Sequence, residues 1–268
     1  MPEDPIAIPV PPEAGLAAEV SGEVATLTLD RPERLNCQSP HTWAALADVA
    51  GQLPGTVRVV VLRGRGRAFS AGLDRAMFTS EGVPGAPGIV SLARGTAEQA
   101  GELIGRWQRA FDFSSRPAVV SVAAVQGHAI GAGCQLALGA DIRIVADDAQ
   151  FAMAEPSLGI VPDLGGTKRL VDLVGYSRAA EICLTGRRVG AGEAVAIGLA
   201  SRAVLAGELD AAVAETVAAL LAVPRDAATE TKALLLAAGA RTQAAQEAAE
   251  REAQYRRLRA LAGLDGEA

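Results

Sequence analysis

The sequence is short of aromatic residues, cysteine and histidine, and each shortage removes a class of function. Aromatics make up 3% of the 268 residues, so any core has to be built from Val, Leu, Ile and Ala. Half of the chain is hydrophobic, which is enough for a sizeable core. Cys37, Cys134 and Cys183 are its three cysteines, far apart and without CxxC spacing. They indicate neither a zinc site nor a disulfide framework, and fit idle thiols in a reducing compartment. His41 and His128 are too few and too separate for a histidine-based metal site. No run of about 18 apolar residues occurs, so no bilayer-spanning helix is expected. Long Lys/Arg runs are absent too. With a net charge of −6, neither nucleic acid nor a membrane surface is expected as a bulk electrostatic partner. The first 14 residues are rich in proline and acids, with no basic n-region or apolar h-region. They read as a frayed tail, not a signal peptide, and a cytoplasmic location is expected.

What is present is an alternation of strand and helix patterns. Residues 19–30 predict a hairpin turning at Ser21-Gly22, with Ala25, Leu27 and Leu29 alternating against Thr26 and Thr28. Ser39-Pro40 offers an N-cap followed by proline at the first helical position. Trp43, Leu46, Ala47 and Ala50 then fall at helical spacing. Residues 56–62 and 118–125 are nearly continuous apolar runs, as expected of strands covered on both faces. Residues 80–96 predict a mobile loop, and Leu103, Trp107 and Phe111 a helix face ending before Pro117. After residue 160 the chain reads as helices, the last over 242–262. The class is α/β with a helical appendage.

Two glycine-rich turns follow the two apolar strands. In GHAIGAGCQLALGAD the glycine order is G-x-x-x-G-x-G, not the G-x-G-x-x-G of a dinucleotide site. Cys134-Gln135 stand where a phosphate loop needs Lys and Ser or Thr. Tight helix–strand packing explains the glycines equally well when this turn is taken alone. It is paired, however, with Ala68-Phe69-Ser70-Ala71-Gly72 after the earlier strand. Two strand ends with exposed backbone N–H groups make an oxyanion hole, and losing one donor typically costs about 3–4 kcal/mol of transition-state stabilisation. Such a site suits a thioester whose carbonyl oxygen gathers negative charge.

The strings AFSAGLD and PAVVSVAAVQGHAIGAGCQLALGADIRIVADDAQF closely resemble the two signature regions of the crotonase (enoyl-CoA hydratase/isomerase) superfamily. LDRPERLN upstream, with EPSLGIVPDLGGTKRL and VGYSRAAEICLTGRRVGAGEAVAIGLASRAV downstream, continues the match over residues 19–240. The resemblance implies a spiral of strand–strand–helix turns with a helical C-terminal trimerisation region. It divides the chain into a flexible N-terminal tail (1–15), a core domain (16–205) and a helical oligomerisation region (206–268). It implies an acyl-CoA thioester as substrate, with coenzyme A arriving as part of it and no other cofactor. A homotrimer or a dimer of trimers is the implied assembly. The oxyanion donors implied are the N–H groups of Ala71 and Ala132, with Gly72, Leu73, Asp74 and Gln135 also lining the substrate path.

The acids decide which reaction to expect. Hydratases of the family use two glutamates, and Gln135 stands where the first belongs. It has no carboxylate to accept a proton. Glu155 matches the second, and Asp163 follows eight residues later. A double-bond shift needs proton removal at one carbon and return at another, which Glu155 with Asp163 can supply. Isomerisation of an enoyl-CoA is therefore the leading expectation. Hydration weakened by Gln135, thioester hydrolysis, decarboxylation and silent acyl-CoA binding remain alternatives. His128 and the pair Lys168-Arg169 read as framework and surface residues. A generic α/β hydrolase fails for want of a G-x-S-x-G elbow.

Overall fold

The computed structural model describes residues 4–264; the outermost parts of the expected N-terminal tail (1–3) and C-terminal region (265–268) lie outside the described residues. Among the described residues, ten strands and ten α-helices follow one another. The chain opens with β1 (Ile6–Ile8), β2 (Leu16–Ser21), β3 (Val24–Leu29), α1 (Pro40–Gln52) and β4 (Val59–Gly64). Next come α2 (Ile89–Leu92), α3 (Ala97–Gln108), β5 (Val120–Val125), β6 (His128–Ile130), α4 (Ala132–Leu138), β7 (Ile142–Ala146) and β8 (Gln150–Ala152). The remainder is α5 (Gly166–Val174), α6 (Tyr176–Thr185), β9 (Val189–Gly190), α7 (Ala191–Ala196), β10 (Arg202–Val204), α8 (Leu209–Ala222), α9 (Arg225–Ala238) and α10 (Gln243–Leu261). None of these helices is long and apolar enough to cross a membrane.

Seven strands form one sheet in the order β1-β2-β3-β4-β5-β7-β10, antiparallel as far as β3 and parallel beyond it. The predicted hairpin is β2–β3, with Ser21 opposite Val24. Alternate residues of β4 serve two different cores. Val60 and Leu62 join Leu46 and Val49 of α1, whereas Val59 and Val61 meet Leu209, Ala212 and Val213 of α8. Burial on both faces is why this strand reads as an unbroken apolar run.

A second sheet, β6-β8-β9, was not anticipated. Its strands have two or three residues each, too short for an alternation to register in the sequence. The expected flexible tail over 1–15 is also corrected. Ile6–Ile8 pair with Ala18–Val20, and Ala14 is fully buried. Prolines flank β1 because it lies at the sheet edge, where one side of the ladder needs no donor. The segment 80–96 contains the single turn of α2, and His41 Nε2 meets Pro84 O at 2.6 Å.

Candidate active site

Two loops meet to form the site, and the first is held by the LDRPERLN segment. Leu35 and Asn36 both lie in the left-handed region, at φ 52° and 53°. For leucine this costs about 1–3 kcal/mol unless neighbours enforce it. They do here. Buried Asn36 donates to Ala68 O (2.7 Å) and Arg65 O (2.9 Å) and accepts from Arg31 N–H (2.9 Å). Ser70 N–H donates to His128 O and Ile130 N–H to Ser70 O, stitching the loop to β6. Gly72 follows at φ +91°, where a Cβ would lie 2.5 Å from Ile130 O and 3.5 Å from Ala132 N. Only glycine permits that approach to the start of α4.

These contacts correct one expected donor. Ala71 N–H donates to Leu35 O at 2.8 Å and is thereby occupied. Leu73 N–H and Ala132 N–H have no hydrogen-bond partner among the described residues. Both residues line a cavity of about 490 Å³, together with Trp43, Phe78, Leu158, Ile160 and Leu164. Two free N–H groups on closely approaching backbones can stabilise an oxyanion.

Across the cavity lie the acids. Glu155 begins a short turn (Glu155–Leu158) and is 7% exposed. Its Oε1 accepts Gln135 Nε2–H at 2.8 Å, and its Oε2 is buried with no partner among the described residues. Burial is the main cause that pushes the Glu155 pKa above the ordinary carboxylate range. Its own backbone and Gln135 oppose that rise, and the charge of Asp163 adds to it. Asp163 lines the same cavity and is likewise raised, mainly by burial. Gly131, at φ +54°, leaves room for Glu155: a Cβ there would lie 3.2 Å from Oε1. The carboxylate therefore sits beside the residue that precedes Ala132.

Gln135 proves to be a bracket. It is fully buried, and its Oε1 accepts the N–H groups of Leu164 (2.9 Å) and Gly166 (3.2 Å) while Nε2 holds Glu155. Both acceptor positions of the amide are filled, so little remains to hold a water. It ties Glu155 to the loop that follows Asp163.

Of the expected site residues, Ala71, Gly72, Leu73, Ala132, Gln135, Glu155 and Asp163 converge on the cavity. Asp74 does not line it, which corrects its place in the substrate path. Its buried carboxylate pairs with Arg34 at 2.9 Å, lies 3.9 Å from Arg31 and accepts Ala76 N–H at 3.0 Å. The chain alternates direction after Gly72, so Leu73 and Asp74 face opposite ways. His128 lies 3.3 Å from Arg188, Arg169 pairs with Asp112 at 2.9 Å, and Lys168 pairs with Asp172, all outside the cavity. Sequence reasoning missed Trp43 and Arg75 as cavity residues. Trp43 carried only the helical spacing of a core position. Arg75, exposed at the cavity and adjacent to the AFSAGLD string, had a legible signal in that adjacency.

Two unpartnered N–H groups and a buried carboxylate thus line one cavity, an arrangement that could handle a carbonyl gaining negative charge. The comparisons with known proteins agree. The family model described as enoyl-CoA hydratase/isomerase matches residues 19–261. The chain belongs to the enoyl-CoA hydratase/isomerase family, and its fold is the crotonase fold. It is 34% identical to the short-chain-enoyl-CoA hydratase of Clostridium acetobutylicum over 65% of this chain and 63% of that protein. It is 37% identical to the 1,2-epoxyphenylacetyl-CoA isomerase of Escherichia coli K12 over 66% of this chain and 64% of that protein. The match thus spans less than two thirds of either curated relative. Among solved structures, a Thermobifida fusca YX protein assigned as an enoyl-CoA hydratase, in complex with acetoacetyl-CoA, superposes with a TM-score of 0.88. It is 50% identical, over 91% of this chain and 95% of that one. An enoyl-CoA hydratase subunit from Geobacillus kaustophilus HTA426 gives 0.76 at 30% identity, over 90% and 88%.

Proposed function

We propose that this protein binds an enoyl-CoA thioester and shifts its double bond through an enolate. The Leu73 and Ala132 N–H groups hold the thioester oxygen, and Glu155 removes a proton and returns it to another carbon. Asp163 assists as second acid. The observation that carries this reading is the buried, unpartnered Oε2 of Glu155. A carboxylate deprived of solvation gains more from taking a proton than one in water. The acetoacetyl-CoA held by the Thermobifida fusca structure supports a CoA thioester as ligand.

Hydration is the second reading, favoured by the name of the Clostridium relative. Against it stands Gln135, whose acceptor positions are filled by Leu164 and Gly166. The test is product analysis in deuterated buffer with 3-enoyl-CoA and 2-enoyl-CoA. Conversion of 3-enoyl- to 2-enoyl-CoA with deuterium uptake, abolished in Glu155→Gln, is expected. Dominant 3-hydroxyacyl-CoA refutes the isomerase reading. Binding without turnover or exchange points to a silent binder.

The assembly belongs to the same reading. Leu235, Tyr255, Leu258 and Leu261 of α9 and α10 are exposed, an apolar surface that self-association would cover. It fits a homotrimer or dimer of trimers in the cytoplasm, and light scattering reads the mass directly.

A further inference from the structure

The buried part of the cavity lining includes an aromatic side chain that the reaction chemistry does not use. Trp43 lines the catalytic cavity and is 3% exposed. Its ring stands 5.1 Å from that of Trp107, centroid to centroid, and 5.9 Å from Phe111. Trp107 lines a different space, a groove of about 570 Å³ on the far side of α1. Pro40, Ala44 and Ala47 of α1 and Leu103 of α3 line that groove too. The two indoles in contact are thus the wall between two spaces, one leaf facing each.

This wall is fixed. Trp43 Nε1–H donates to Gln38 Oε1 at 2.8 Å, and Gln38 Nε2 donates to Ser70 Oγ at 3.0 Å, with Gln38 and Ser70 fully buried. The Gln38 backbone also braces the donor loop, its N–H on Gly72 O and its O on Asp74 N–H, each at 2.7 Å. Around a carbonyl held at Leu73 and Ala132 the cavity lining includes exposed Arg75 and Leu158 as well as buried Trp43. The bulky, polar CoA needs the exposed part of that lining, which leaves the buried part, with the indole, for the acyl tail.

We infer that Trp43, backed by Trp107, sets the length of acyl chain the protein accepts and restricts it to short-chain thioesters. The inference rests on the acyl-CoA reading above. Removing the Trp43 ring deepens the cavity as far as Trp107 and Phe111, whose aromatic faces give a longer chain apolar cover. Each methylene so covered strengthens binding roughly fourfold.

The experiment measures binding by calorimetry and turnover for four- to twelve-carbon acyl- and enoyl-CoAs. It uses wild type, Trp43→Ala, Trp107→Ala and Trp43→Phe, with melting curves as a check on folding. Wild type is expected to lose affinity sharply beyond short chains. Trp43→Ala should move the optimum several carbons longer while losing up to about 10-fold on the four-carbon substrate, and Trp107→Ala should shift it less. Trp43→Phe keeps a ring in the wall and should keep the cut-off. Equal binding of all lengths by wild type overturns the inference, as does a uniform loss across lengths in the folded variants. Length discrimination in binding without any turnover would sink the isomerase reading and leave the partition standing. Absence of acyl-CoA binding overturns both.

Discussion

Two carboxylates in different parts of this molecule, half-buried Asp141 and buried Glu155, have opposite surroundings. Asp141, at the junction of the large sheet with the C-terminal helices, directs Oδ2 at three donors. These are Ser121 N–H (2.7 Å), Ser121 Oγ–H (2.7 Å) and Lys232 Nζ (2.8 Å). Glu155, in the cavity, has one amide donor and an oxygen with none. Asp141 is fully supplied with donors, and its work is to fasten α9 to the sheet through Lys232. A carboxylate left short of donors takes a proton more readily, and the proposed double-bond shift would use that shortage. The inventory of donors distinguishes the carboxylate that fastens from the one in the cavity.

Replacing the acid in each place should give opposite results, which is the strongest way to break the comparison. Glu155→Gln is expected to lower turnover by about 10²–10⁴-fold and leave the melting temperature unchanged or higher, since it removes a starved buried acid. A melting loss comparable to its activity loss would make Glu155 a framework residue. Lys232→Ala should do the reverse, destabilising by about 3 kcal/mol in chemical denaturation because it strands Asp141. Activity per folded molecule should change little.

Two smaller effects sharpen the difference. The folded-state pKa of Glu155 is raised, so the native state binds more protons than the unfolded chain between the ordinary and the raised value. Stability should therefore fall as pH rises through that window, and the slope should flatten in Glu155→Gln. Activity that needs the base ionised should rise through the same raised value, a sigmoid in a rate–pH profile. In Gln135→Glu the amide donor to Glu155 is replaced by a second carboxyl. That variant should move the sigmoid to higher pH and increase the share of 3-hydroxyacyl-CoA product. An unmoved profile would mean that Gln135 does not govern the acid it touches.

The hairpin of β2 and β3 and the double-sided burial of β4 were legible because alternation and unbroken apolar runs follow directly from where side chains must go. Glu155 and Asp163, singled out through the family resemblance, line one cavity. Leu73 was read as lining and Ala71 as donor, because a string of small residues does not reveal which N–H another backbone will occupy. Leu35, 36 residues earlier, is what engages Ala71. Asp74 read as a path residue for the same reason, since Arg34 meets it only in the folded chain.

The sequence by itself determined the periodicities, the glycines that permit Gly72 to touch Ile130, the acids, and the family to which the chain belongs. Tertiary structure alone decided which donors stay free, what Gln135 holds, how a three-residue strand finds its sheet, and that Trp43 and Trp107 stand in contact as a wall. The physical reason is one of range. Periodicity and turn chemistry are written among near neighbours, whereas hydrogen-bond satisfaction and cavity shape depend on groups brought together from distant parts of the chain.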